Sequence, residues 1–205
     1  MKIWLDFINT PQVAFFVPFI EDFKKQGYDI LITCRDSGNT IGLLKQNQLE
    51  YHVIGKRVGK GSFDKGKMFV SRLIELYRFI RKERPDLAAC QSSFYLPPVA
   101  NLLGIPSMFT NDNEHAKGNY FGFRFATKVL LPEALKDEPF TQKSPLNKKV
   151  HFYPSVKESI YLSQNPALLA ALEEPKSTIY FRPEPWSAQY YDSPQPAGGA
   201  FRQRN

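Results

Sequence analysis

Asp112, Glu114 and His115 crowd three titratable groups into the run Asn111-Asp112-Asn113-Glu114-His115, the most polar stretch of the chain. A carboxylate beside an imidazole orients the ring and tunes its proton affinity, as acid–base work on a hydroxyl requires. The same run also suits a helix start, with Asp112 or Asn113 capping and Glu114 answering the helix dipole. Asn9, Thr10 and Gln12 form a second group, placed where a helix amino end holds an anion or a hydroxyl-bearing substrate. Plain turn and cap chemistry accounts for them equally well. In the third group, Arg35-Asp36-Ser37, a guanidinium can clamp a phosphate or an acid group, or serve a structural ion pair. No CxxC or other metal-ligand spacing occurs, and no GxGxxG follows the first strand, so neither a metal nor a cofactor is expected.

These groups need elements that bring them together. Residues 2–7 are a short apolar run, and Asn9-Thr10-Pro11 supplies turn chemistry with proline at a first helical position. Phe15, Phe16, Phe19, Ile20 and Phe23 recur at helical spacing, with Glu21, Asp22, Lys24 and Lys25 mostly opposite, until Gly27 stops the helix. Residues 29–34, DILITC, are too apolar for a sheet with one wet face and read as a central parallel strand. Such a unit predicts a right-handed crossover and a ligand crevice at the carboxyl ends of the strands.

The alternation repeats along the chain. A helix is expected over 40–48, a strand over 51–54, a glycine-rich mobile loop over 55–66 and a helix over 66–83. That helix turns Phe69, Leu73, Leu76, Tyr77 and Ile80 inward and Arg72, Glu75, Arg78 and Lys82 outward. Residues 87–91 and 105–110 are apolar strands, separated by a helix through Pro97-Pro98 to Leu103 with Ser92 or Ser93 as cap. Tyr120, Phe121, Phe123 and Phe125 mark a buried helix, 128–131 a sixth strand, and 149–153 and 178–182 later segments. The expectation is an α/β protein: a Rossmann-like, doubly wound parallel sheet of six or seven strands over about residues 1–160. Asn9, Thr10, Arg35, Asp112, Glu114 and His115 should then converge on one crevice.

Composition narrows the classes. An apolar content of 42% over 205 residues supports one cored domain and excludes wholesale disorder. Cys34 and Cys90 fall in predicted buried strands and read as packed, reduced thiols. The net charge of +7 gathers mainly at 56–67 and 72–84 without the pattern of a nucleic-acid binder, so no nucleic-acid partner is expected. An anionic membrane surface or a phosphorylated substrate suits that basic patch. Asp6, Asn9 and Pro11 interrupt any signal-peptide core, and no run of 18 apolar residues occurs, which points to a cytoplasmic protein, at most peripheral to the inner membrane face.

The phrases WLDFINTPQVAFF, ITCRDSGNT, NDNEHA, VKESIYL and YFRPEPW, in this order over residues 1–191, resemble an uncharacterised prokaryotic family grouped with the glycosyltransferases. That family is similar in architecture to the GT-B glycosyltransferases, including the MurG type, and to the UDP-N-acetylglucosamine 2-epimerases. The resemblance implies two facing Rossmann-like domains, the first shaping the acceptor side and the second binding most of a nucleotide-sugar donor, a UDP-sugar first of all. It implies work in cell-surface glycan or glycolipid synthesis. It also implies that Arg182 and Glu184, in FRPEPW, open the donor-binding loop, with Arg182 toward the diphosphate. Many relatives carry histidine where this chain has Gln12, and glutamine cannot take a proton at neutral pH.

On this reading residues 1–172 are the acceptor-side domain, 173–192 the start of an incomplete donor-binding domain, and 193–205 a disordered tail. The chain is then a truncated portion that transfers no sugar alone, because the cations facing a departing diphosphate belong to the second domain. Residues 179–181, a strand without a sheet, would pack on the first domain or on another copy in a homo-oligomer. A UDP-sugar 2-epimerase and a non-catalytic sugar-binding or interaction domain are the alternatives. A Rossmann oxidoreductase is disfavoured by the missing glycine fingerprint.

Overall fold

The computed structural model describes residues 1–55, 62–112, 118–143 and 146–160. Seven strands, β1 (Lys2–Phe7), β2 (Asp29–Cys34), β3 (His52–Val53), β4 (Leu87–Gln91), β5 (Ser107–Thr110), β6 (Lys128–Pro132) and β7 (Val150–Tyr153), form one sheet in the order β3-β2-β1-β4-β5-β6-β7. Every pairing is parallel. The α/β class and the doubly wound parallel sheet expected from sequence are both present, with the seven strands lying between Lys2 and Tyr153 among the described residues. The order reverses between β1 and β4, which is the switch point at which open α/β sheets bind ligands.

Pleating divides the side chains of β1 between two cores. Ile3, Leu5 and Phe7 face α1 (Thr10–Lys25) and α2 (Thr40–Gln46), together with Val13, Phe16, Ile20 and Leu44. Trp4 faces the opposite side, under α3 (Ser62–Glu83), α4 (Leu96–Leu102) and α5 (Asn119–Phe125), with Leu76, Ile80, Leu96 and Phe109. Asp6 shares the face of Trp4 and is completely buried. The carboxyl edge is level: Phe7 pairs with Cys34 and Gln91 with Thr110, so the following turns gather along one rim.

Several local expectations change. Helix α3 begins at Ser62, four residues before Gly66, and residues 56–61 of the expected loop lie outside the described residues. Arg72, expected outward, is 2% exposed, because a carboxylate waits for it on β1. Neither Ser92 nor Ser93 caps α4: Tyr95 holds the N-cap position without a side-chain cap, and the Ser93 hydroxyl is directed to Asp6 instead. Helix α5 is half-buried rather than buried. Asn119 and Gly122 form its inner face, where a Cβ on Gly122 would meet the Phe109 ring at 2.4 Å, while Tyr120 is exposed. Cys34 and Cys90 are buried free thiols. Among the described residues no helix is long and apolar enough to cross a membrane.

Candidate functional site

Three strand-to-helix turns meet at the switch point. The β1–α1 turn contributes Asn9, Pro11 and Gln12, the β4–α4 turn Gln91, Ser92 and Phe94, and the β5–α5 turn Asn111, Asp112 and Asn119. Lys157, from beyond β7, reaches the same crevice, which encloses about 370 Å³. Among the described residues its walls carry side-chain amides, one aromatic ring and one ion pair, so polar groups are set into a partly apolar surface and the charges balance.

Gln12 holds the turns in register. Its Oε1 accepts from the backbone N–H of Ile8 and Asn9, and its Nε2 donates to the carbonyl of Gln91, tying the end of β1 to the end of β4. The side chain is 1% exposed. Asn9 is the exposed N-cap of α1 in extended conformation. Asn111 donates to the Ser92 hydroxyl at 2.9 Å and to Asn119 Oδ1 at 2.8 Å, closing an amide network beneath the crevice.

Ser92 adopts φ +56°, a left-handed conformation that L side chains avoid at a cost of about 1–2 kcal/mol. Gln48 and Arg84 share it, but they sit just past the ends of α2 and α3, where that conformation is ordinary. Ser92 follows a strand directly. Strain retained at the mouth of a crevice marks a backbone shaped for contact.

Asp112 is the charged centre. Lys157 Nζ donates to its Oδ2, and Gln91 Nε2 donates to Oδ1 at 3.2 Å, so both carboxylate oxygens are held. Tyr153 stands beside the pair, and burial first, then the Asp112 charge, pushes its phenol up from the ordinary value. Lys157 was not anticipated among the site residues. It follows β7, two strands away from β5, and only the fold-back of residues 154–160 brings it to Asp112.

The expected convergence is divided. Asn9, Gln12 and Asp112 share the crevice. Thr10 turns to the β2–α2 loop, where its hydroxyl accepts from the Asn39 N–H at 2.9 Å. Gly38 makes that approach feasible, with φ +54° and room for no Cβ, which would lie 2.7 Å from Thr10 Oγ1. Arg35, at the carboxyl end of β2, donates through Nη2 to the Ile8 carbonyl at 3.3 Å and lines a separate cavity. Glu114, His115, Arg182 and Glu184 lie outside the described residues.

Beneath both sites runs a buried network. Asp6 receives Arg72 on both oxygens, Thr33 at 2.7 Å and Ser93 at 2.6 Å, while Trp4 Nε1 donates to Thr33 at 2.8 Å. Arg72 Nε donates to the Ile54 carbonyl at 2.9 Å, and its guanidinium stacks 4.3 Å from the Tyr95 ring centre. The network joins β1, β2, α3 and the turn after β4 at one carboxylate, and its sequence signal was a lone acid, Asp6, in an apolar strand.

A family model described as a protein of unknown function, DUF354, matches residues 1–196. An uncharacterised protein of Methanocaldococcus jannaschii is 36% identical over 138 residues, covering 65% of this chain and 39% of that protein. Among solved structures, UDP-GlcNAc 2-epimerase from Methanocaldococcus jannaschii superposes with a TM-score of 0.62 at 14% identity, over 83% of this chain and 52% of that one. MurG of Acinetobacter baumannii gives 0.54 at 18% identity, over 64% and 41%. The likeness to these structures is one of fold. The chain spans about half the length of these relatives or less.

Proposed function

This chain belongs to the DUF354 family of proteins of unknown function, and we propose that its parallel sheet is the acceptor-side half of a GT-B-type glycosyltransferase that uses a nucleotide sugar. The observation that carries the reading is the position of the crevice at the β1/β4 switch point, with Ser92 held in a strained conformation at its mouth. Its chemistry suits a sugar. The Asn9 and Gln91 amides offer donors and acceptors to sugar hydroxyls, and the Phe94 ring offers an apolar platform for a sugar face.

In the proposed reaction an acceptor hydroxyl attacks the anomeric carbon of the donor. The hydroxyl proton passes to His115, the new C–O bond forms, and the sugar–phosphate bond breaks with its electron pair leaving on the nucleoside diphosphate. Asp112 and Glu114 orient the imidazole and stabilise its charged form, and Lys157 holds Asp112 in place. Arg182 and Glu184, within 173–192, are proposed on the donor side, with UDP as the nucleotide.

The test is product analysis with UDP-sugars, run on this chain and on the longer Methanocaldococcus jannaschii relative side by side. Acceptor-dependent release of UDP by the longer relative, lost when its counterpart of His115 is replaced by alanine, with no turnover by this chain alone, is the expected result. Epimerisation of the sugar at C2 without an acceptor would replace transfer by the 2-epimerase reading. Failure of the longer relative to bind any UDP-sugar would leave a non-catalytic domain.

The setting proposed for this chemistry is the face of an anionic membrane. Between α3 and α4 lies an apolar groove of about 300 Å³ lined by Val70, Leu73, Ile74, Tyr77, Val99 and Leu102. Val70, Ile74 and Leu102 are 53%, 44% and 72% exposed, and Arg78, Arg81, Lys82 and Arg84 are exposed beside them. An apolar strip flanked by cations complements an anionic lipid surface.

A further inference from the structure

A second, smaller cavity opens on the other side of the end of β1. It encloses about 80 Å³, and Arg35, Arg72, Ser71, Glu75 and Tyr95 line it together with Gly55. The Ile8 carbonyl separates it from the switch-point crevice, since Ile8 lines the crevice and accepts the hydrogen bond from Arg35.

Arg35 is half-buried, and among the described residues that bond is the one it makes. A guanidinium carries five N–H groups, so four are left for solvent or a ligand. No carboxylate among the described residues forms an ion pair with it. A partly buried cation without a counter-charge is costly, and arginine meets oxyanions in a planar, two-point geometry. The second arginine behaves differently. Arg72 is buried, and its charge is balanced by Asp6; among the described residues three of its donors are engaged, by Asp6 and the Ile54 carbonyl.

Glu75 is the acid on this wall. It accepts from Ser71 at 2.8 Å and pairs with neither arginine. Its charge opposes any anion in the cavity, which gives the site a sign that an experiment can read. Gly55 keeps the wall thin: its φ of +94° suits glycine, and a Cβ there would lie 2.9 Å from Arg72 Cδ. The volume holds a few waters, and so one tetrahedral oxyanion rather than a nucleotide.

We infer that the cavity at the end of β2 is an oxyanion subsite, in which Arg35 takes a single phosphate group, free or terminal on a larger ligand. Arginine at the end of the second strand of a doubly wound sheet stands where NADP-binding members of such folds receive a lone phosphate group. The inference is independent of what the crevice binds, because it rests on residues that the crevice does not use.

Calorimetric titration of the 205-residue chain with inorganic phosphate and with glucose 1-phosphate, at matched ionic strength, tests it. Arg35→Gln is expected to weaken both by tenfold or more, Arg35→Lys by less, and Glu75→Gln to tighten both several-fold. Lys45→Gln, an exposed charge on α2, should change neither. Tighter binding of glucose 1-phosphate than of phosphate identifies a terminal phosphate, and equal binding a free one. The inference is overturned by absence of millimolar phosphate binding, by an Arg35→Gln variant with an unaltered thermal melt that binds as wild type, or by equal losses in Arg35→Gln and Lys45→Gln.

Discussion

Arg72 and Asp6, 66 residues apart in the chain, meet as a two-point ion pair, with Nη2 to Oδ1 at 2.7 Å and Nη1 to Oδ2 at 3.1 Å. Neither side chain is more than 3% exposed. The pair fastens α3 to the central strand directly below the two cavities. Removing one partner strands a charge in the core, so Arg72→Met or Asp6→Asn alone should cost about 3–5 kcal/mol. The double variant should lose less than the sum, because the stranded charge is gone. Urea unfolding of the four proteins measures both quantities, and additive losses would show that the residues do not act as a pair.

Two glycines near α3 should respond in opposite directions to alanine. At Gly55 the left-handed backbone and the Arg72 side chain both oppose a Cβ, so Gly55→Ala should destabilise by about 1–2 kcal/mol or more. Gly66 lies within α3, and a Cβ there meets nothing within 4 Å. Gly66→Ala should therefore stabilise by about 0.5–1 kcal/mol through helix propensity. Thermal melts of the two variants should straddle the wild type.

These contrasts show what was legible in the sequence. Apolar strands such as DILITC, alternating with helical periodicity, announced a parallel sheet, because burial on both faces leaves no polar alternation. The carboxyl ends of β1 and β5 could be named as the crevice because topology gathers them. That of β2, expected there through Arg35, opens on a separate cavity, and that of β4, with Gln91 and Ser92, was not named. Partnership was not legible. Arg72 sits among polar residues at helical spacing and reads as outward until Asp6, on a strand 66 residues earlier, is seen to face it. Thr10 was grouped with Asn9 by adjacency, yet successive residues at a helix start diverge, and its hydroxyl serves the Asn39 turn. Lys157 reaches Asp112 only through the fold-back after β7, for which no local pattern exists.

The two thiols predict a pH dependence. Burial, and after it the Asp6 carboxylate, pushes Cys34 up to about 12, and the same causes raise Cys90 well above its ordinary 9.0. The folded chain thus keeps both protons where the unfolded chain releases them. Stability should be unaffected by these groups below about pH 9 and should fall as pH rises through 9 toward 12, by up to roughly 1.4 kcal/mol per pH unit for each thiol. Urea midpoints between pH 8 and 10.5, compared with a Cys34→Ser, Cys90→Ala variant, isolate the contribution. In the native protein at pH 8 neither thiol should react with iodoacetamide, and both should react in denaturant.

The proposed membrane face makes the last prediction. Each basic residue near an anionic bilayer contributes about 1 kcal/mol, and Arg78, Arg81, Lys82 and Arg84 stand together beside exposed Val70, Ile74 and Leu102. The chain should sediment with phosphatidylglycerol vesicles and not with phosphatidylcholine vesicles, and added salt should release it. Arg81→Glu with Lys82→Glu replaces attraction by repulsion and should weaken binding by tenfold or more. Ile74→Asp should weaken it in two ways, by removing apolar contact and by setting a negative charge against the anionic bilayer. All three side chains are exposed, so the variants should fold as wild type. Equal sedimentation with both vesicle types would sink the lipid assignment, and concentration-dependent dimers abolished by Ile74→Asp would give the groove to a second copy of the chain.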